Sequence, residues 1–248
     1  RRFFLQCLSG LGFGNLIPPG GFPSLSIPHR PLGNTGVSVS VLGMGTGDLY
    51  RSNREDSHRI LSIAHESGIT LFDTASAYGE GESETRLGNV LKPFRQHLFL
   101  SSKTLSRNQR EASIDLEQSL TRLHTDHLDL WMIHDLRTEQ EWDALTSRDG
   151  ALEAFRIAKQ KGLTQFAGFS TNRNPTLALK AIHSFPFDVI MLPVHHADRE
   201  FITTVIPEAQ RRGMGILGIR VLGLPKKKKR PQEEVSRSIH NALLQPIS

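Results

Sequence analysis

The feature that most constrains this chain is a rhythm. From Pro31 onward, short apolar runs of β type alternate with longer stretches whose apolar residues recur every three or four positions. Strands are expected at 41–45, 70–73, 97–101, 128–133, 165–169, 188–192 and 215–219, after a small hairpin at 32–39 turning at Asn34–Gly36. Helices are expected between them, near 57–66, 83–91, 110–123, 151–161, 175–182 and 203–212. In the third, Ala112, Leu116, Ser119, Leu120 and Leu123 share one face, with Glu117 and Arg122 facing out. Gly68, Gly162 and Gly213 stand where helices need a left-handed cap before the next strand.

Strand–helix alternation of this kind demands parallel pairing and right-handed crossovers. A (β/α)8 barrel and a doubly wound sheet both satisfy it. No Gly-x-Gly-x-x-Gly follows the first strand, because Gly43-Met44-Gly45-Thr46-Gly47 has another spacing. The expected class is therefore α/β, a (β/α)8 TIM barrel, and 248 residues suit one such domain.

Both ends depart from the rhythm. Arg1-Arg2 opens a mildly apolar stretch with no Asp, Glu, Lys or Arg before Arg30, a pattern resembling a twin-arginine export signal. Residues 1–28 are accordingly set apart as a leader, and 29–248 as the barrel. No Ala precedes Ala64, so an Ala-x-Ala cleavage site is absent. A real leader implies a periplasmic or exported protein; otherwise the chain is expected to be cytoplasmic. At the other end, a helical pattern near 233–244 runs into Gln245-Pro246 and the sequence stops. The barrel is thus expected to lack its eighth strand and final helix.

Charge and cysteine content narrow the function. Basic residues number 30 and acidic ones 25, but seven of the basic ones sit in Arg1-Arg2 and the 226–230 run, leaving 23 against 25. A near-neutral body argues against a nucleic-acid-binding face. The single cysteine, Cys7, excludes a disulfide framework and a cysteine-built metal centre. Beyond the first thirty residues no apolar run is long enough to span a bilayer. His195-His196-Ala197-Asp198 offers metal-ligand types, but adjacent histidines in an extended segment point apart, and no metal is expected.

Barrel enzymes carry their chemistry at the carboxyl ends of strands. Those positions here hold Asp73 and Tyr78 after the second strand, Lys103 at the end of the third and His134 after the fourth. A phenol titrates near pH 10, too high for easy proton exchange at neutrality. A neighbouring ammonium favours the phenolate, so Lys103 can lower the pKa of Tyr78, while Asp73 holds Lys103 charged and aimed. His134 can hydrogen-bond a carbonyl oxygen. The set delivers a proton to a carbonyl; no side chain donates hydride, so a nicotinamide cofactor is implied.

On these residues the chain resembles an aldo-keto reductase. The matching pieces are Pro31–Val37, the stretch Gly68-Ile-Thr-Leu-Phe-Asp-Thr-Ala-Ser-Ala-Tyr-Gly79, Glu84-Thr85-Arg86-Leu87-Gly88, Ser102-Lys103-Thr104, Asp129–His134 and Ala167-Gly168-Phe169-Ser170. The resemblance implies a catalytic tetrad of Asp73, Tyr78, Lys103 and His134, with Tyr78 the proton donor. It implies NADPH, with NADH left open, laid across the barrel mouth and reducing a small aldehyde or ketone. It places Gly45 and Thr46, with Asp73, beside the nicotinamide, Ser170 and Asn172 at its carboxamide, and Arg220 and Leu222 under the pyrophosphate. Asp48 and Tyr50 would stand in the substrate wall. Met191 replaces a frequent Gln, and the 226–230 run lies near the cofactor phosphates, either as a solvated loop or as a phosphate attractor. The alternative is a non-catalytic barrel of the same fold that senses cofactor or binds a partner. A hydrolytic barrel is disfavoured, since neither a metal cluster nor a close carboxylate pair is evident.

Overall fold

The computed structural model describes residues 27–221, His196 excepted. Residues 1–26 of the expected leader, the helix expected near 233–244, Leu222 and the basic run at 226–230 lie outside the described residues.

An antiparallel hairpin comes first, β1 (His29–Pro31) and β2 (Ser38–Ser40). Its arms lie outward of the expected 32–39 span. The Leu32 N–H donates to Val37 O at 2.8 Å and the Thr35 hydroxyl to Leu32 O at 2.6 Å, so residues 32–37 form the turn. Seven parallel strands follow, hydrogen-bonded side by side in chain order. They are β3 (Gly43–Gly45), β4 (Leu71–Asp73), β5 (Phe99–Thr104), β6 (Leu128–Ile133), β7 (Thr164–Ser170), β8 (Val189–Pro193) and β9 (Gly215–Ile219). This is the sheet of a (β/α)8 barrel; among the described residues no eighth strand joins β9 to β3.

The helices are α1 (Arg54–Glu66), α2 (Glu82–Leu91), α3 (Gln109–Leu123), α4 (Glu139–Thr146), α5 (Ala151–Gln160), α6 (Pro175–Ser184) and α7 (Ile206–Arg211). Asn53, Asn108 and Asn174 start α1, α3 and α6 by accepting a hydrogen bond from a first-turn N–H. Gly68, Gly162 and Gly213 all take positive φ.

Three elements differ from expectation. Residues Lys92–His97 wind into a 3-10 segment behind α2, which pushes β5 from the expected 97–101 to Phe99–Thr104 and places Lys103 inside the strand. Helix α4 stands where none is expected, started by reciprocal capping between Thr138 and Glu141. The helix expected at 203–212 divides into a π turn (Phe201–Val205) and α7. Pro207 has no N–H to return to the carbonyl of Thr203, and the turn before it widens.

Side-chain alternation along the strands sorts the core into two layers. Phe72, Leu100, Trp131, Ile133, Phe169 and Ile190 face the helices, and Trp131 stacks on Phe155 of α5 with centroids 3.9 Å apart. Leu71, Phe99, Leu130, Met132, Phe166, Val189, Met191 and Leu217 face the interior, joined by Leu32 and Val39 of the hairpin. Each such side chain taken out of water contributes roughly 1.5–3 kcal/mol. The interior face continues two residues at a time toward the strand ends. Beyond Leu71 comes Asp73, beyond Phe99 come Ser101 and Lys103, and beyond Met132 comes His134.

Candidate active site

Parallel register brings the polar strand ends level. Gly45 pairs with Asp73 across β3 and β4, and Asp73 with Ser101 across β4 and β5. The main chain of Asp73 is fixed by Thr46, whose N–H and hydroxyl both donate to Asp73 O, at 2.9 and 3.0 Å. Ser83, in the first turn of α2, in turn donates to Thr46 from 2.8 Å. Tyr78 rides on the tight turn between β4 and α2, with its N–H on Ala75 O at 3.0 Å and its carbonyl accepting from Ser83 N–H at 3.2 Å.

Lys103 is 1% exposed. Burying an ammonium so deeply is tolerable only with partners at its N–H groups. One is Asp73 Oδ2 at 2.6 Å and another is Thr74 O at 2.6 Å. The other carboxylate oxygen of Asp73 accepts from Ser101 Oγ at 2.6 Å. The ammonium lies 5.2 Å from the centroid of the Tyr78 ring, and that ring meets His134 edge-on, with centroids 5.5 Å apart at 85°. The four residues Asp73, Tyr78, Lys103 and His134 therefore form one continuous cluster at the carboxyl end of the sheet.

Their ionisation follows from burial. Tyr78 is pushed above the ordinary phenol range by desolvation; Lys103 pulls it down but does not outweigh that burial. The expected net lowering by Lys103 is thus reversed, and the phenol keeps its proton. His134 is depressed to about 4, first by burial and then by the Lys103 charge, so its ring is neutral at pH 7. Its Nδ1 is buried with no hydrogen-bond partner among the described residues.

The expected cofactor contacts lie around the same mouth, with Leu222 outside the described residues. A Cβ added at Gly45 would meet nothing within 4 Å, so the end of β3 adjoins open space. Thr46 is buried, its hydroxyl committed to Asp73. Ser170 closes β7 and donates to Ile133 O at 3.4 Å while accepting from the Asp135 N–H at 2.8 Å. Asn172 donates through Nδ2 to Asp135 Oδ1 at 2.9 Å, and its carbonyl accepts from Arg220 at 3.3 Å. Asn172 Oδ1 makes no hydrogen bond among the described residues, which leaves an acceptor suited to a primary amide. Met191 packs into the interior layer. Asp48 and Tyr50 sit on the turn after β3, where Tyr50 lies so close to Gly79 that a Cβ there would meet its ring at 2.5 Å. These features fit a flat amide-bearing ring beside Tyr78 and His134.

Sequence reasoning passes over Ser101 and Asp135. Ser101 shares the interior face with Lys103, two residues on, which is the signal that finds it. Asp135 has a backbone φ of +52°, which no sequence pattern announces. Among the described residues no group of three or more His, Cys, Asp or Glu could hold a metal, and no helix is long and apolar enough to cross a membrane.

Comparison with known proteins agrees with this geometry. The aldo/keto reductase family profile matches residues 41–245. Aldo-keto reductase YhdN of Bacillus subtilis is 30% identical over 203 residues, which are 73% of this chain and 58% of that protein. Pyridoxal 4-dehydrogenase of Microbacterium luteolum is 28% identical over 237 residues, covering 76% of this chain and 68% of its own. Among solved structures, a Pseudomonas aeruginosa chain assigned as an aldo-keto reductase superposes with a TM-score of 0.76 at 29% identity, covering 90% of this chain and 86% of that one. The holo form of aldo-keto reductase AKR11C1 from Bacillus halodurans gives a TM-score of 0.70 at 25% identity, covering 83% and 70%. The chain spans little more than half of the first of these relatives, and within that span it belongs to the aldo/keto reductase family.

Proposed function

We propose that the protein reduces small aldehydes or ketones with a nicotinamide cofactor, NADPH first, and that Tyr78 is the proton donor. The observation that carries this reading is the buried ammonium of Lys103, clamped by Asp73 at 2.6 Å and set beside a phenol that itself faces a neutral imidazole. Gly45, Ser170 and Asn172 would hold the nicotinamide end, which when bound supplies hydride to the carbonyl carbon. Tyr78 gives its phenolic proton to the carbonyl oxygen. Its elevated pKa keeps that proton in place at neutrality, and Lys103 stabilises the phenolate left behind. Asp73 keeps Lys103 charged and aimed. His134, neutral at pH 7, can donate a hydrogen bond to the same oxygen and orient it without competing as an acid. The reverse reaction, alcohol oxidation, uses the same groups, and one relative is a dehydrogenase by name.

Replacing Tyr78 by Phe tests the mechanism. Turnover of a broad aldehyde panel should fall by roughly 100-fold or more, the scale of general acid catalysis, with cofactor binding retained. Reduction within tenfold of the parent chain would remove Tyr78 from the role. The non-catalytic reading draws on Met191, whose thioether offers no strong hydrogen bond at a position where an amide side chain is frequent. Cofactor-induced quenching of Trp fluorescence with no carbonyl turnover would favour its cofactor-sensing form, and absence of quenching its partner-binding form.

A further inference from the structure

The end of β6 carries a second construction beside the tetrad. Asp135 follows His134 directly and holds a backbone φ of +52°, a region that costs an L-residue energy and is tolerated best by Asn, Asp and Gly. Such a conformation persists only when its surroundings fix it. Here they do so from both sides. The Asp135 N–H donates to Ser170 Oγ at 2.8 Å, and the next N–H, from Leu136, donates to Ser170 O at 2.8 Å. The carboxylate accepts from Asn172 Nδ2 at 2.9 Å through one oxygen and from Arg137 Nε at 2.6 Å through the other. The residue is 8% exposed. On the far side of His134, Arg107 donates to the His134 carbonyl at 2.9 Å.

We propose that Asp135 is a positioning residue: held left-handed between Ser170 and Asn172, it fixes the His134 ring at the end of β6 and the Asn172 amide at the end of β7 in one arrangement. Two strand ends are thereby tied at the level of the tetrad. One amide hydrogen of Asn172 is committed to the clamp, so that its Oδ1 is left presented to the mouth. The carboxylate is shared by Arg137 and Asn172, and the second of these ties it across to the end of β7. This deepens the functional reading above and rests on it only where turnover is measured.

Three variants separate the clamp from the backbone that carries it. Asp135→Gly accepts the left-handed conformation but removes the carboxylate. Asp135→Asn accepts it too and keeps an oxygen for Asn172. Asn172→Ala removes the partner from the other side. The first readout is the His134 ring resonance in the full chain labelled at histidine, assigned by its loss in His134→Gln; it needs neither substrate nor cofactor. It should move in Asp135→Gly and in Asn172→Ala and return toward its original position in Asp135→Asn. The second readout is turnover. Asp135→Gly and Asn172→Ala should each lower kcat/KM about tenfold, the double variant only about twofold further, as expected for groups acting as one unit. A role limited to stability would lower the melting temperature and leave the resonance and the rate at low temperature unchanged. An unmoved His134 resonance in both Asp135→Gly and Asn172→Ala overturns the proposal. Should the parent chain reduce no carbonyl at all, the functional reading fails while the resonance still decides this one. Should Asp135→Gly not fold, Asn172→Ala decides alone.

Discussion

Replacing Lys103 by Met is the sharpest physical test of the site, because an unbranched apolar side chain takes the place of the ammonium and its hydrogen bonds. The ammonium is 1% exposed and spends two short hydrogen bonds, on Asp73 Oδ2 and Thr74 O, both 2.6 Å. Its removal leaves Asp73 with Ser101 as its remaining side-chain donor and a carboxylate only 15% exposed. Breaking a buried ion pair from one side typically costs 3–5 kcal/mol, and the residual exposure of Asp73 puts the expectation near the bottom of that range, about 3 kcal/mol. In a chain of this size that lowers the melting temperature by roughly 6–12 °C. Most of the cost belongs to the stranded carboxylate. Asp73→Asn in the same chain should therefore recover part of it, and the double variant should be at least about 2 kcal/mol more stable than the two single losses added together. Urea unfolding of the parent, both single variants and the double variant measures the cycle. Losses that simply add, or a Lys103→Met penalty below about 1 kcal/mol, would refute the view that this pair is electrostatically closed off from solvent.

Two further outcomes follow from the geometry. The His134 pKa lies near 4 in the folded chain against an ordinary 6.5, so folding disfavours the protonated ring: stability is full above about pH 6.5 and declines as pH falls toward 4, by up to roughly 3 kcal/mol. Urea midpoints at pH 7 and pH 4.5 should differ less in His134→Gln than in the parent, and equal differences would refute the depressed pKa. Thr138→Ala removes one half of the reciprocal cap on α4 and should cost about 1 kcal/mol, read as a shifted urea midpoint with unchanged slope.

The sequence made the sheet legible because its strands are apolar on both faces and bounded by glycine-capped helices. It made the clustering of Asp73, Tyr78, Lys103 and His134 legible because parallel strands place their ends side by side. What stayed hidden depended on contacts between distant segments. The start of β5 was displaced by a 3-10 segment that reads as helix end or strand start equally well. Helix α4 has only Trp142 and Leu145 buried, too few for periodicity to reveal, although Thr138 and Glu141 spelled its cap. Pro207 was visible, yet its effect, a widened turn before α7, requires knowing which carbonyl it abandons. The net direction of the Tyr78 shift is not legible in the sequence, because the pull of Lys103 is local and readable, whereas desolvation depends on everything packed around the ring. Asp135 escaped notice because its partners, Ser170 and Asn172, lie 35 and 37 positions away.

The interior layer of Leu71, Phe99, Leu130, Met132, Phe166, Val189 and Leu217, backed by Leu32 and Val39, has a consequence for traffic. It fills the inner face of the sheet beneath the polar strand ends, so among the described residues the space at the Asp73–His134 cluster does not continue down between the strands toward the hairpin. Substitutions in the loops after the strands leave this apolar layer untouched, whereas a change within it is felt first as a loss of folding stability.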